Sequence, residues 1–522
     1  MDMVRNKIMQ FLMPVALFIG IFSALVATID DYGIVWDEKC YIENARSIEH
    51  WFADVPVNGS RFNYESLNAH WNSQWRDDLN GNVHPPFIKL SAIAFRHLLG
   101  TTLFDNIVYQ YRVSTAFWAA LLVATIFLVI RRYTGSTLWG LLGGLSFITI
   151  PRFFAHAHFY ATDMMISAIG FAALAVFMLA SRSWVRILLG GALFGAALAT
   201  KFTGILAIGI VFPMILIAPE RGRFLREYTL LLIVSCAFFV LFNFPMLFNP
   251  QRELAMYFSS FLNREKIIPI TTLYFGTNYD FRLPFHHPWV MLGITIPAVV
   301  AATALIGLVA AAFGFVRRRD PYSFFCLAPF LLLMAVYMLP STPKHDGIRL
   351  FSSVWPFVIL LSILGCRWLS FLSWRKINAG LLVCCAGLVL TVIELKQYHP
   401  HQLSYYNQFI GGAKGAQEKG FIISYWYEAF NRDFFRRVGQ VTGDSDLGIY
   451  SYPNDKIVNW NQAYGLISSK LRPMLQDEEY TYILVLNRVL TPEMLAYLGR
   501  CKLLLKLETR DGAMIGGLYQ NR

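Results

Sequence analysis

Shortly past a long apolar run, Ile8 to Ile29, the chain reads Trp36-Asp37-Glu38-Lys39. The carboxylates Asp30, Asp31, Asp37 and Glu38 all follow that run. They cannot rest in hydrocarbon, so they mark a watery surface at a membrane face. Paired acids there are either a solvated boundary or the start of an active site. A second feature is His84-Pro85-Pro86. Two prolines fix the chain as it enters a helix at Phe87, because proline is at home in a first helical turn. The motif is either a helix start with an incidental histidine or an imidazole held rigidly beside the carboxylates. Further along, Arg112, Arg152, His156, His158, Asp163, Lys201, His345, Asp346 and Arg349 recur at the ends of apolar runs. Each has a plain structural explanation. Arg112 and Arg152 reach headgroups, Lys201 punctuates a hairpin, Asp163 caps a helix, and the paired histidines face solvent. What singles these residues out is that acids and bases gather at one face.

The elements that must position them are membrane spans. The 522 residues are 56% hydrophobic and 15% charged, with mean hydropathy +0.46. A soluble chain of this length could not hide so much apolar surface, so the composition implies a polytopic α-helical membrane protein. The net charge of +12 reads as basic cytoplasmic loops and not as a nucleic-acid surface. The seven cysteines show no CxxC or metal-like spacing, and no disulfide framework is inferred. The first run is too long for a signal-peptide core and is read as a retained span.

After Ile8–Ile29, spans are expected near 112–130, 137–151, 163–180, 186–200, 202–218, 228–247, 289–313, 322–340, 350–372 and 378–394, about eleven transmembrane helices by the hydropathy rule. The pairs Arg5/Lys7, Arg131/Arg132, Arg182/Arg186 and Arg375/Lys376, with Arg221/Arg223/Arg226 and Arg317/Arg318/Arg319, fall at alternate span ends. They become cytoplasmic together only if the N-terminus is inside, which puts the tail outside. The polar residues above then all lie on the extracytoplasmic face.

The first extracytoplasmic loop, about 30–111, is too long for a plain connection. Within it Tyr41–Phe52 and Phe87–Leu99 have the spacing of amphipathic helices lying along the membrane surface. A helical membrane domain over 1–400 is expected, followed by a small extracytoplasmic α/β domain over 401–522. In that tail β-like runs appear at Leu447–Tyr450, Tyr482–Leu486, Leu503–Leu507 and Met514–Tyr519, with helical stretches at Phe430–Val438 and Pro492–Leu498.

In order, these motifs resemble the GT-C glycosyltransferases. The first span followed by Asp37-Glu38, the His84-Pro85-Pro86 helix start, Tyr111-Arg112-Val113-Ser114, Ala161-Thr162-Asp163 and Ala199-Thr200-Lys201-Phe202-Thr203-Gly204 carry the likeness. His345-Asp346-Gly347-Ile348-Arg349 and the stretch His399 to Asn407 resemble bacterial phospholipid carrier-dependent members. The nearest branches are the protein O-mannosyltransferases and the lipid A aminoarabinose or galacturonic acid transferases. The likeness covers about residues 1–415.

The resemblance implies a GT-C fold in a bacterial cytoplasmic (inner) membrane. It also implies transfer of a sugar from a polyprenyl-phosphate donor to a lipid, glycan or protein hydroxyl outside the cytoplasm. Asp37 is then the base that the weakly nucleophilic hydroxyl needs, and Glu38 orients it. His84, Arg112, Asp163, Lys201, His345 and Arg349 form the carrier and substrate site, the cations meeting charge on the leaving phosphate. Some relatives bind a divalent ion near these acids and others do not. Asp37, Glu38, His84 and Asp163 offer oxygen and nitrogen donors, but no metal ligand is assigned. The competing readings are a lipid flippase or transporter and a non-catalytic membrane assembly protein. Transporters place polar sites near the midplane, often in inverted repeats; here they sit at one face and no repeat is visible.

Overall fold

The computed structural model describes residues 2–59, 62–72, 84–218, 220–262, 270–280, 282–372, 378–443, 448–468, 470–476 and 478–521, with the backbone alone at 2–11, 217 and 260–262. The side chains of Arg5 and Lys7, the pair Arg375/Lys376 and the loop segment 73–83 lie outside the described residues.

Among the described residues, seven helices are long and apolar enough to cross a membrane: Ile107–Thr134, Thr162–Leu179, Arg221–Phe242, Ala298–Arg318, Pro321–Met338, Arg349–Leu372 and Ala379–Tyr398. Four shorter apolar helices accompany them: Leu12–Ala27, Thr137–Ile148, Ser183–Leu198 and Gly204–Leu216. Their ends follow local chemistry. Asn106 caps Ile107–Thr134 by accepting from the Val108 N–H at 2.9 Å. The helix stops where Gly135 turns left-handed, at φ +69°, with Arg131 and Arg132 in its last turn.

Three expected spans are corrected at prolines. The run 289–313 is two helices, His287–Thr295 and Ala298–Arg318, because Pro297 has no N–H for a continuing ladder. The run 137–151 ends at Ile148, and Pro151 begins a separate turn, Pro151–His156. The run 228–247 starts earlier, as Arg221–Phe242, and passes into a tight Phe244–Leu247 turn containing Pro245. Both amphipathic stretches of the first loop are helical, as Trp36–Asp54 and as Phe87–Phe95 running on into a wider turn, Arg96–Gly100.

The tail carries a five-stranded sheet in the order 472–474, 448–452, 482–486, 514–520, 502–508. The first three strands are parallel, and the last two join antiparallel. Tyr482–Leu486 is buried along its whole length, as an unbroken apolar run in a central strand must be. One strand of this sheet was not expected: 472–474 is short and begins Arg-Pro. The hairpin Thr271–Tyr274 with Thr277–Asp280 was not expected either. Helix Pro492–Leu498 contributes Leu498 to a cluster with Tyr450, Ile483 and Val485 on one sheet face. On the other face Leu484, Leu486 and Leu518 join Phe434, Phe435 and Val438 of helix Arg432–Thr442. That second cluster is continuous with the core of the apolar helices. The segment 401–431 contains no strand and packs largely buried against the helical part.

Candidate active site

Consecutive residues on a helix point about 100° apart, and this divides the Asp37–Glu38 pair. Glu38 is turned inward and fully buried. Its Oε1 accepts from Arg112 Nε at 2.7 Å and from the Tyr160 N–H at 2.9 Å. Its Oε2 accepts from Arg112 Nη2 at 2.7 Å and from the Val35 N–H at 3.0 Å, the last bond closing the helix start. Arg112 uses its remaining donors on the carbonyls of Ile29, Tyr32 and Gly33, at 2.6–3.0 Å. An arginine has five N–H donors, and every one of them is engaged. The Glu38–Arg112 pair therefore clamps the loop that leads into the helix bearing Asp37.

Asp37 points the other way. Its Oδ2 lies 2.7 Å from Arg349 Nη1, and its side chain is 23% exposed. Arg349, Asp163, Lys201 and Asp346 are all buried, so Asp37 is the carboxylate of this group that solvent reaches. Arg349 also lies 3.6 Å from Asp163 Oδ2 and 2.9 Å from Asp346 Oδ2. Its guanidinium sits 4.3 Å over the Trp426 ring. Lys201 Nζ donates to Asp163 Oδ1 at 2.6 Å. Asp163 is held in turn through its carbonyl, which accepts from Ser167 Oγ at 2.7 Å and Ser352 Oγ at 3.0 Å. The ends of four separate apolar segments thus deliver one network of alternating charge.

Asp346 opens the turn that brings Arg349 in. It has φ +57° and Gly347 follows at φ +67°, a left-handed pair that a non-glycine residue enters only at some cost. A Cβ at Gly347 would also stand 2.6 Å from Arg152 Nη1. Asp346 Oδ1 accepts from Arg488 Nη2 at 2.9 Å. Burial alone would raise the Asp346 carboxyl, but the Arg488 and Arg349 guanidiniums hold it below the usual carboxylate range.

The tail contributes more than Arg488. Trp426 and Tyr425 lie in a segment whose carbonyls accept from the backbone just ahead of Asp37. The Gly33 N–H donates to the Glu428 carbonyl at 2.8 Å, and the Trp36 N–H to the Trp426 carbonyl at 3.2 Å. Gly33 is needed there, since a Cβ would meet the Phe430 carbonyl oxygen at 2.4 Å. Glu428 is buried, and neither carboxylate oxygen has a hydrogen-bond partner among the described residues. Burial pushes its carboxyl up to about 7.

The remaining sequence candidates divide. His345 is buried next to Asp346. Arg152 does not reach outward; its Nε donates to the Tyr405 carbonyl at 2.9 Å and its guanidinium stacks 4.6 Å over Tyr406. His156 lies against Trp355 and Trp426, and burial pushes its imidazole down to about 3. His158 pairs with Thr28 and the Phe154 carbonyl and is likewise lowered to about 3 by burial. His84 stacks on Tyr41, with ring centroids 6.2 Å apart, and its carbonyl accepts from buried Lys89 Nζ at 2.8 Å. Burial pushes that lysine down to about 7. Among the described residues, no three His, Cys, Asp or Glu side chains form a group able to hold a metal ion. The donor set Asp37, Glu38, His84 and Asp163 does not assemble: its members are held by Arg349, Arg112, Tyr41 and Lys201 respectively.

Sequence reasoning missed Trp426, Arg488, Glu428 and Lys89. Lys89 is the one with a signal, a cation on the face of a helix that otherwise reads as apolar.

No family model matches the chain, and no curated protein matches it. Solved structures do. ArnT from Cupriavidus metallidurans bound to undecaprenyl phosphate superposes with a TM-score of 0.52 at 13% identity, over 97% of this chain and 98% of that chain. The archaeal oligosaccharyltransferase AglB from Archaeoglobus fulgidus, in complex with an inhibitory peptide and a dolichol-phosphate, gives 0.47 at 11%, over 90% of this chain and 62% of that one. The S. cerevisiae protein O-mannosyltransferase Pmt1-Pmt2 complex bound to the sugar donor gives 0.31 at 15%, over 50% and 38%. The end-to-end match to ArnT shows that this chain has the GT-C fold.

Proposed function

We propose that the protein is a membrane glycosyltransferase that moves a sugar from a polyprenyl-phosphate carrier to an acceptor hydroxyl on a lipid, glycan or protein. The observation that carries this reading is the partly exposed Asp37 carboxylate sharing Arg349 with the buried Asp163–Lys201 pair. The fold likeness to a protein crystallised with undecaprenyl phosphate agrees with it.

The reaction is a single displacement with inversion. The acceptor oxygen bonds to the anomeric carbon as the bond from that carbon to the phosphate oxygen breaks. The acceptor proton goes to Asp37, and the leaving phosphate takes the electron pair. Phosphate needs no proton to leave, only positive charge in reach. Arg349 can bind it in bidentate fashion, and Lys201 offers a point charge. Without carrier these cations are neutralised by Asp37, Asp163 and Asp346. A phosphate that takes over Arg349 contacts frees Asp37 for the proton. Glu38 and Arg112 serve by fixing the loop. In this reading the site faces the extracytoplasmic side of a bacterial inner membrane, the N-terminus is cytoplasmic, about eleven helices span, and the tail sheet lies outside with the site.

The test is thermal protection of the purified protein by a panel of polyprenyl-phosphate sugars, since a ligand that binds only the folded state raises its stability. One or more sugars should protect, and the same donor should support transfer. Protection by none of a broad panel would overturn the reading.

A further inference from the structure

We propose that a polar crevice at the membrane face, distinct from the Asp37 network, binds the headgroup of a zwitterionic phospholipid, with phosphate on Arg432 and Arg437 and a primary ammonium on Asp30. The crevice encloses about 510 Å³, within the range of about 300–1,000 Å³ usual for small-ligand sites. Asp30, Asp31, His399, Arg432, Arg436 and Arg437 line it.

Its place in the fold fixes its level. Asp30 and Asp31 follow the first apolar helix, which ends at Ala27. His399 follows the last long apolar helix, Ala379–Tyr398. The third wall is the polar side of Arg432–Thr442, whose other side is buried through Phe434, Phe435 and Val438. Two apolar helix ends and one amphipathic helix meet where hydrocarbon gives way to headgroups.

The walls are joined by hydrogen bonds. Asn431 caps the amphipathic helix by accepting from the Phe434 N–H at 3.0 Å, and it also donates to the Asp31 carbonyl at 2.8 Å. His399 Nε2 lies 2.8 Å from Asp31 Oδ2, and its Nδ1 lies 2.9 Å from Gln402 Nε2. The charges are placed but not neutralised. Among the described residues Arg432 and Arg437 have no ion-pair partner, and neither does Asp30, whereas Arg436 pairs with Asp433. Unpaired cations and an unpaired anion facing one cavity suit a ligand that carries both signs. Guanidinium groups match phosphate geometry, and a carboxylate needs an ammonium that still has N–H donors. A phosphoethanolamine-type headgroup has both. A fully methylated ammonium lacks the donors, and a glycerol headgroup lacks the charge.

The experiment uses the full chain in detergent and soluble dihexanoyl lipids, read by native mass spectrometry and thermal shift. Dihexanoyl phosphatidylethanolamine should bind saturably and at least about 10-fold tighter than the phosphatidylcholine, the phosphatidylglycerol or inorganic phosphate; one ten-fold step is about 1.4 kcal/mol. R432Q/R437Q should weaken it about 10-fold or more with an unchanged ligand-free melting midpoint, because both side chains lie on the open side of the helix. D30N should abolish the preference over phosphatidylglycerol and spare phosphate binding. Equal binding of inorganic phosphate and all three lipids would overturn the proposal, since the site would then read phosphate alone. So would an unaltered R432Q/R437Q variant, or saturable binding of a phosphorylated disaccharide with no response to phosphatidylethanolamine. None of these outcomes depends on the transferase reading.

Discussion

Replacing Arg488 with Met should slow transfer without emptying the carrier site. Arg488 lies in the tail and touches no residue assigned to substrate. Its Nη2 reaches Asp346 Oδ1 at 2.9 Å, with side chains 20% and 5% exposed, and Asp346 Oδ2 in turn holds Arg349 at 2.9 Å. Losing a hydrogen bond between charged groups at a buried carboxylate costs about 1.5–3 kcal/mol. If the whole cost falls on the geometry that presents Arg349, the rate drops about 10- to 150-fold. The assay is single-substrate kinetics on purified protein with the donor that protects it, kcat and KM being separated. The expected pattern is a fall in kcat with little change in KM, and partial recovery in Arg488→Lys. A stability profile against pH gives an independent readout. Asp346 titrates lower in the folded chain than in the unfolded chain, so its contribution is complete above the unfolded value, about 3.9, and is lost as pH falls through the folded value. Removing Arg488 raises the folded value toward the unfolded one, so the acid loss of stability should be smaller in the variant and should end at higher pH. A variant with parental kcat and an unmoved acid limb would refute the positioning argument.

Asp37→Asn should nearly abolish transfer while donor protection persists, because size is kept and the basic oxygen is lost; near-normal turnover would remove Asp37 from the mechanism. Arg112→Met should act on folding instead. It strands buried Glu38, a loss of about 3–5 kcal/mol, and the melting midpoint in detergent reports it; an unchanged midpoint would contradict the clamp. Glu428→Gln should stabilise the protein at alkaline pH. A carboxyl raised to about 7 by burial loses stability as pH rises from about 4.3 through that value, and an amide does not; equal midpoints at pH 5 and pH 9 in parent and variant would exclude this. A cysteine placed at Gln440 should be labelled only from the extracytoplasmic side, and labelling only from the cytoplasm would invert the proposed topology.

What the sequence disclosed depended on whether a signal was local. Apolar runs and basic clusters are local, and they marked the helical segments; errors fell at Pro151, Pro245 and Pro297, where one residue decides whether a ladder continues. The central tail strand Tyr482–Leu486 was legible because burial on both faces forces an unbroken apolar run, whereas Arg472–Met474 has too few residues to show a period. At the site, residue types and the shared face were legible for Asp37, Asp163, Lys201 and Arg349. The division of labour between Asp37 and Glu38 was not, because it depends on which side of helix Trp36–Asp54 meets Arg112. Arg488 and Trp426 had no signal at all: an arginine after a strand and a tryptophan in a loop are ordinary until the fold sets them against Asp346 and Arg349.

The tail is therefore part of what holds the Asp37–Arg349 network in place. The loop leading to Asp37 is held from two sides. Arg112 binds it from the membrane helix, through the carbonyls of Ile29, Tyr32 and Gly33. The carbonyls of Trp426 and Glu428 accept its N–H groups from the tail side. Arg349 is held the same way, by Asp37 and Asp163 on one side and by Asp346, backed by Arg488, on the other. Each of the two central charges thus has one support that a chain ending after the last long helix would lack. Truncation there would also remove the Phe434–Phe435–Val438 face that joins the tail to the helical core, and expose the apolar surface of that core. The loss of rate in a truncated protein should accordingly exceed that of Arg488→Met, and adding the tail back as a separate fragment should not restore it unless that apolar face re-docks.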